Sequence, residues 1–166
     1  MNAYDLCPLC ALAIDPGVGA AAFRGRIAHL SCWLDWREGR RESPRPSVLV
    51  VDDDEVGRYA ACRALQRANF DVMEAADGTT ALNAVAERPD LVLLDLQLPG
   101  VDGFEVCRRI KSSPETASIR VLPFTAVFKT DVDRRRALDA GADGFLIRPV
   151  PPEELIATVT GLIGVG

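Results

Sequence analysis

The run LVLLDLQLPGVDGFE, Leu91–Glu105, decides how the rest of the chain is read. Four consecutive apolar residues, too few for a helix, end at an acid, Asp95, and a Pro-Gly turn follows. A short and wholly apolar run of this kind reads as a strand buried on both faces. The same signature stands earlier in the chain, where SVLVV (47–51) runs into Asp52, Asp53 and Asp54. Two strands of one type, each ending in carboxylates, set the frame for what lies between and after them.

Working outward, amphipathic stretches alternate with apolar runs. Glu55–Ala68 spaces Tyr59, Cys62, Leu65 and Ala68 as one helical face, and Asp71–Glu74 is a second, weaker strand. Gly78–Glu87 is a helix stopped by Pro89, Phe104–Lys111 a third helix, and Arg120–Phe124 a strand ending at Thr125. Val132–Ala140, closed by Gly141, precedes a fifth strand at Gly144–Ile147, and Pro151 and Pro152 open a last helix at Glu153–Ile163. Five strand–helix units with apolar strands predict an α/β fold: a five-stranded parallel sheet, doubly wound, with helices on both faces. Ligands of such sheets bind outside the carboxyl ends of the strands, where Asp52, Asp53, Asp95, Thr125 and Arg148 all fall.

These residue types form a coherent chemical set. Three carboxylates converging on one small volume repel one another, and a hard divalent cation such as Mg²⁺ relieves that repulsion while binding phosphate oxygens. A phosphoryl group arriving on Asp95 would be stabilised by the metal, the Thr125 hydroxyl and the Arg148 cation, since phosphoryl transfer depends on positioning and charge neutralisation. Asp54 and Glu55 suit the start of the first helix through its dipole.

Taken together, VLVVDDDE (48–55), LVLLDLQLPGVDGFE (91–105), PFTA (123–126) and GADGFLIRP (141–149) resemble the response-regulator receiver family of two-component signalling, in order and in spacing. The resemblance spans about 120 residues and implies a flavodoxin-like fold. It also implies Asp52 and Asp53 as the acidic metal pair, Asp95 as the phosphorylation site, and Gln97 as a backbone carbonyl ligand to Mg²⁺. It makes Thr125 the switch hydroxyl and Phe145 the switch aromatic. One position departs from the pattern: Arg148 stands where the family typically has lysine. Arginine is longer, planar and suited to bidentate contacts. Either the phosphoryl contact survives in altered geometry, or Arg148 pairs with Asp95 and holds an active-like state. Gln97 and Val127 flank the expected path of attacking water, and apolar Val127 predicts slow autodephosphorylation.

Before this segment, residues 39–46 read as a stiff, proline-containing linker, and residues 1–38 as a separate module. Cys7-x2-Cys10 and His29-x2-Cys32 offer four ligands as two close pairs, the pattern of a closed, structural Zn²⁺ site. The spacing resembles the first half of a LIM-type or related treble-clef finger. About 40 residues seldom bury enough core without a metal or disulfide. Trp33 and Trp36 either pack under that site or face a partner. Cys62 and Cys107 read as buried free thiols.

The chain has 166 residues, 48% hydrophobic and 26% charged, with no apolar stretch long enough to span a bilayer and no basic-apolar leader, so a cytoplasmic location is expected. Residues 47–166 carry thirteen basic and nineteen acidic residues, a balance of −6 that argues against nucleic-acid binding. No enzymatic activity beyond self-phosphorylation and hydrolysis is expected. The expected partners are a histidine kinase or phosphotransfer protein as donor and a downstream protein. The latter would meet the face of the fourth helix, fifth strand and fifth helix, or the N-terminal module, and a homodimer is a further possibility. Arg134–Arg136 is read as a solvated face or part of that docking surface. No recognised output domain is read after residue 166, so output is expected through protein contact, dimerisation or the N-terminal module. Two rivals stand: a phosphorylation-independent adaptor, and a transcription regulator using the zinc module.

Overall fold

The chain divides into two units, Met1–Arg45 and Pro46–Gly166. The computed structural model describes residues 20–23, 26–29, 45–126 and 130–164, the first two stretches as backbone. In the first unit β1 (Ala20–Phe23) pairs antiparallel with β2 (Arg26–His29), Ala20 opposite His29 and Phe23 opposite Arg26. The hairpin thus ends on His29, the first residue of the second expected zinc-ligand pair. Cys7, Cys10, Cys32, Trp33, Trp36 and Val127 lie outside the described residues, as does the side chain of His29.

The second unit is built on β3 (Ser47–Val51), β4 (Asp71–Ala75), β5 (Leu91–Leu94), β6 (Arg120–Thr125) and β7 (Leu146–Ile147). All pair in parallel, in the order β4-β3-β5-β6-β7. The order reverses after β3, as in flavodoxin-like folds, and the reversal opens a crevice at the carboxyl ends of β3 and β5. The helices are α1 (Glu55–Arg67), α2 (Gly78–Ala84), α3 (Gly103–Ser112), α4 (Asp131–Asp139) and α5 (Pro152–Ile163).

Side-chain alternation along the strands sorts the core into two layers. Leu49, Val51, Val92 and Leu94 point to one face and pack with Ala81, Phe104, Ile110 and Ala137 of α2, α3 and α4. Val48, Val50, Leu91 and Leu93 point to the other, against Leu65 of α1 and Leu155 and Val159 of α5. Each fully buried Leu or Val contributes about 1.5–3 kcal/mol, so the central strands dominate the hydrophobic stabilisation. Short polar residues start the helices: Asp54, Asp77, Asp102 and Thr130 each accept a hydrogen bond from a first-turn N–H.

Two boundaries differ from expectation by more than one residue. The second helix passes into a 3₁₀ turn at Val85–Glu87, closed by Arg88 at φ 55°. The fifth strand is only Leu146–Ile147, because β6 offers it just Phe124 and Thr125 as partners. Among the described residues no helix is long and apolar enough to cross a membrane. Cys62 and Cys107 are buried free thiols, and burial pushes both up to about 11. They are correspondingly inert.

Candidate functional site

The sheet register delivers Asp52, Asp53, Asp95 and Arg148 to one place. The N–H of Asp95 donates to the carbonyl of Val51 at 2.8 Å, setting the end of β5 beside the end of β3. The N–H of Asp52 donates to the carbonyl of Ala75, and the N–H of Arg148 donates to the carbonyl of Thr125 at 2.8 Å. Asp52 and Asp95 are buried, Asp53 is exposed, and Thr125 is wholly buried at the end of β6. Carboxylate oxygens of Asp52, Asp53 and Asp95 lie within 4.8 Å of one another. Asp53 and Asp95 open onto a cleft of about 860 Å³ lined also by Asp54, Gln97, Leu98, Pro99, Ala126, Arg148 and Pro149.

Arg148 is the centre of the charge arrangement. Its Nη1 donates to Asp52 Oδ2 at 2.6 Å and its Nη2 to Asp95 Oδ2 at 2.8 Å, so one guanidinium bridges two carboxylates. The group is largely buried, its Nε–H has no partner, and its Cζ stands 5.0 Å from the centroid of the Phe124 ring. The other oxygens are also engaged: Asp52 Oδ1 accepts from the Asp54 N–H at 2.9 Å, and Asp95 Oδ1 from the Gln97 N–H at 3.2 Å. Burial pushes the Asp52 carboxyl above the ordinary aspartate value, and the neighbouring charge of Asp95 adds to this. The Asp54 N–H and the Arg148 cation pull it back down without cancelling the burial.

Hard oxygen donors in this number, one of them exposed, fit Mg²⁺, which keeps several waters and takes one or two carboxylates. Arg148 meets the same oxygens, so a cation of the protein's own already neutralises part of the cluster. The pairing with Asp95 was one of the two outcomes open from the sequence. The second prong, to Asp52, was not foreseen, nor was Gly57 beside it. A glycine in the first turn of an otherwise ordinary helix is the one signal the sequence held.

Close backbone approach shapes the rest. A Cβ on Gly103 would stand 2.4 Å from the Asp95 carbonyl oxygen and 2.5 Å from the Leu96 Cα. Only glycine lets α3 start hard against the Asp95 loop. Phe145 is half-buried against the core layer beneath α2–α4. Arg134, Arg135 and Arg136 are exposed, and the Arg136 Cζ sits 4.0 Å from the centroid of the Phe104 ring, between α4 and α3.

A family model described as the response regulator receiver domain matches residues 48–160. The chain belongs to the response regulator receiver family. It is 40% identical over 119 residues to the DNA-binding dual master transcriptional regulator RpaA of Synechocystis sp., a match covering 71% of this chain and 49% of that protein. It is 42% identical over 120 residues to the DNA-binding response regulator MtrA of Mycobacterium tuberculosis, covering 71% and 50%. The chain thus spans about half the length of these curated relatives. Among solved structures, a putative response regulator from Chloroflexus aurantiacus superposes with a TM-score of 0.69 at 30% identity, covering 72% of this chain and 98% of that one. The chemotaxis protein CheY4 of Vibrio cholerae superposes with a TM-score of 0.67 at 28% identity, covering 71% and 98%. The five-stranded parallel receiver fold is therefore shared. The expectation against nucleic acid finds no support in the relatives, two of which are named as DNA-binding.

Proposed function

We propose that this chain is a two-component phosphoacceptor that takes a phosphoryl group on Asp95 from a histidine kinase or phosphotransfer protein. One observation carries the reading: the Asp95 carboxylate is grouped with those of Asp52 and Asp53 and paired with Arg148 at the carboxyl ends of parallel strands. In the transfer, an Asp95 carboxylate oxygen bonds to phosphorus while the bond from phosphorus to the donor nitrogen breaks. The departing imidazole keeps that electron pair.

Asp52, Asp53, Asp95 and the backbone carbonyl of Gln97 would hold Mg²⁺, which when bound supplies positive charge to the phosphoryl oxygens. Arg148 exchanges a carboxylate for a phosphoryl oxygen, a contact its planar fork suits. The Thr125 hydroxyl donates to another, and Phe145 moves further inward behind it. The face of α4, β7 and α5, where Val132, Leu138 and Ile147 are exposed, then presents an altered surface to a downstream protein or a second copy. Catalysis ends there: the chain accepts and loses a phosphoryl group and turns over no other substrate.

The first unit we assign to structural Zn²⁺ on Cys7, Cys10, His29 and Cys32, a reading that rests on their spacing in the sequence. A cytoplasmic location follows from the kinase partnership. A second reading, transcription regulation, takes its support from the DNA-binding relatives, although the region matched is the acidic one. Salt-dependent binding to duplex DNA would favour it.

Intact-mass measurement after incubation with Mg²⁺ and acetyl phosphate tests the main reading. The wild-type chain gains one phosphoryl group and Asp95→Asn gains none. A wild-type chain left unmodified where ordinary receivers are modified would leave the adaptor reading in its place.

A further inference from the structure

Gly57 lies in the first turn of α1, and its N–H donates to the capping carboxylate of Asp54 at 2.7 Å. Its φ is not positive, so the helix does not require glycine there for backbone conformation. Glycine is also the poorest helix former after proline. What the missing side chain supplies is room. A Cβ at this position would stand 2.8 Å from Arg148 Nη1, 2.9 Å from Asp54 Oδ2 and 3.1 Å from Asp52 Oδ2. Real Cβ atoms essentially never approach within 3.0 Å, so the guanidinium would have to withdraw.

That withdrawal would break the 2.6 Å contact to Asp52 while leaving the reach to Asp95 open. Lysine, a compact point charge on a single stem, cannot hold both carboxylates with a planar fork. Nor does it need the space that Gly57 leaves. Arg148 and Gly57 thus form a matched pair: a long cation from the end of β7 and the gap in α1 that receives its tip.

We propose that Gly57 is a positioning residue that seats the Arg148 guanidinium on Asp52, so that Arg148 and Mg²⁺ compete for the same carboxylates. The inference rests on the phosphoacceptor reading for its metal and deepens it. Two of the three acids that hold the ion are already paired within the protein. Loading the site with Mg²⁺ requires Arg148 to give up Asp52, which has its other oxygen committed to the Asp54 N–H. The consequence is a receiver that fills with metal only at higher Mg²⁺ than one without the fork.

Calorimetric Mg²⁺ titration of four full-length proteins, with no phosphodonor present, tests this: wild type, Gly57→Ala, Arg148→Lys and the double variant. Gly57→Ala is expected to lower the Mg²⁺ Kd about fivefold or more in the wild-type background and to change it little once Arg148→Lys is present, the mark of a coupled pair. Arg148→Lys alone is expected to tighten binding likewise. Equal Gly57→Ala effects in both backgrounds, or unchanged Kd in the variants, would overturn the proposal while leaving the phosphoacceptor reading intact. Absence of Mg²⁺ binding in all four would overturn both. Should Gly57→Ala fail to fold, the wild-type chain still decides. The Arg148 guanidinium ¹⁵N resonance, identified by its loss in Arg148→Lys, must shift as Mg²⁺ binds and with the same Kd. A resonance that stays put rules the competition out.

Discussion

At the scale of single residues, one guanidinium determines how three carboxylates coexist. Removing one partner of a buried ion pair leaves the other's charge uncompensated, at a cost of about 3–5 kcal/mol. Arg148→Ala strands two such carboxylates, Asp52 and Asp95, both almost fully buried. It is therefore expected to lower the free energy of unfolding by about 3 kcal/mol in a divalent-free buffer. Added Mg²⁺ should restore a substantial part, since another cation can then take the same oxygens. Urea denaturation with and without Mg²⁺ measures both. Asp95, Asp52 and Asp53 were legible in the sequence because each ends an apolar run, and strand ends of a parallel sheet share one edge. The contact between Arg148 and Asp52 was not, because it spans 96 residues and depends on a gap in a helix. Gly57 by its sequence position is only a glycine within a helical pattern, slightly unfavourable there.

At the scale of elements, the segment that carries the chain from α4 into β7 is anchored by a single acid. Asp143 Oδ2 is 2.6 Å from Lys111 Nζ and accepts from the Val121 N–H, while its Oδ1 accepts from Arg120 Nη1 at 2.8 Å. The Asp143 N–H returns to the Val121 carbonyl. Burial works to raise the Asp143 carboxyl, but Lys111, the Val121 N–H and Arg120 together outweigh it and hold it below the ordinary aspartate value. A depressed carboxyl stabilises the fold above its unfolded pKa of about 3.9, and that stability is lost as pH falls through the lower folded value. Asp143→Asn is thus expected to cost about 1–3 kcal/mol at pH 7, with the difference from wild type shrinking as pH falls below about 4 toward the lower folded value. Urea midpoints across pH 3–8 would show it. A constant difference at every pH would mean that the charge of Asp143 is irrelevant. The same anchoring explains why the fifth strand is shorter than its apolar pattern suggested: Gly144 and Phe145 follow Asp143 directly and enter no ladder with β6.

At the scale of the whole molecule, the chain divides into two compact units. The core of residues 46–166 is complete within itself, with both faces of the sheet covered by its own helices. A fragment of residues 46–166 is therefore expected to unfold in one cooperative step and to accept a phosphoryl group from acetyl phosphate. The full chain, but not the fragment, should carry one zinc per molecule by metal analysis. The sequence by itself determined the parallel sheet, its two-faced burial and the carboxylates at its edge. Continuous apolar runs and helical spacing leave few other ways to bury such strands. Only the tertiary structure decided how Arg148 is used. A side chain's partners depend on which strand lies beside which, and on whether a neighbouring helix leaves space. Here that space is the missing Cβ of Gly57, and it turns a substitute for lysine into a bridge between Asp52 and Asp95.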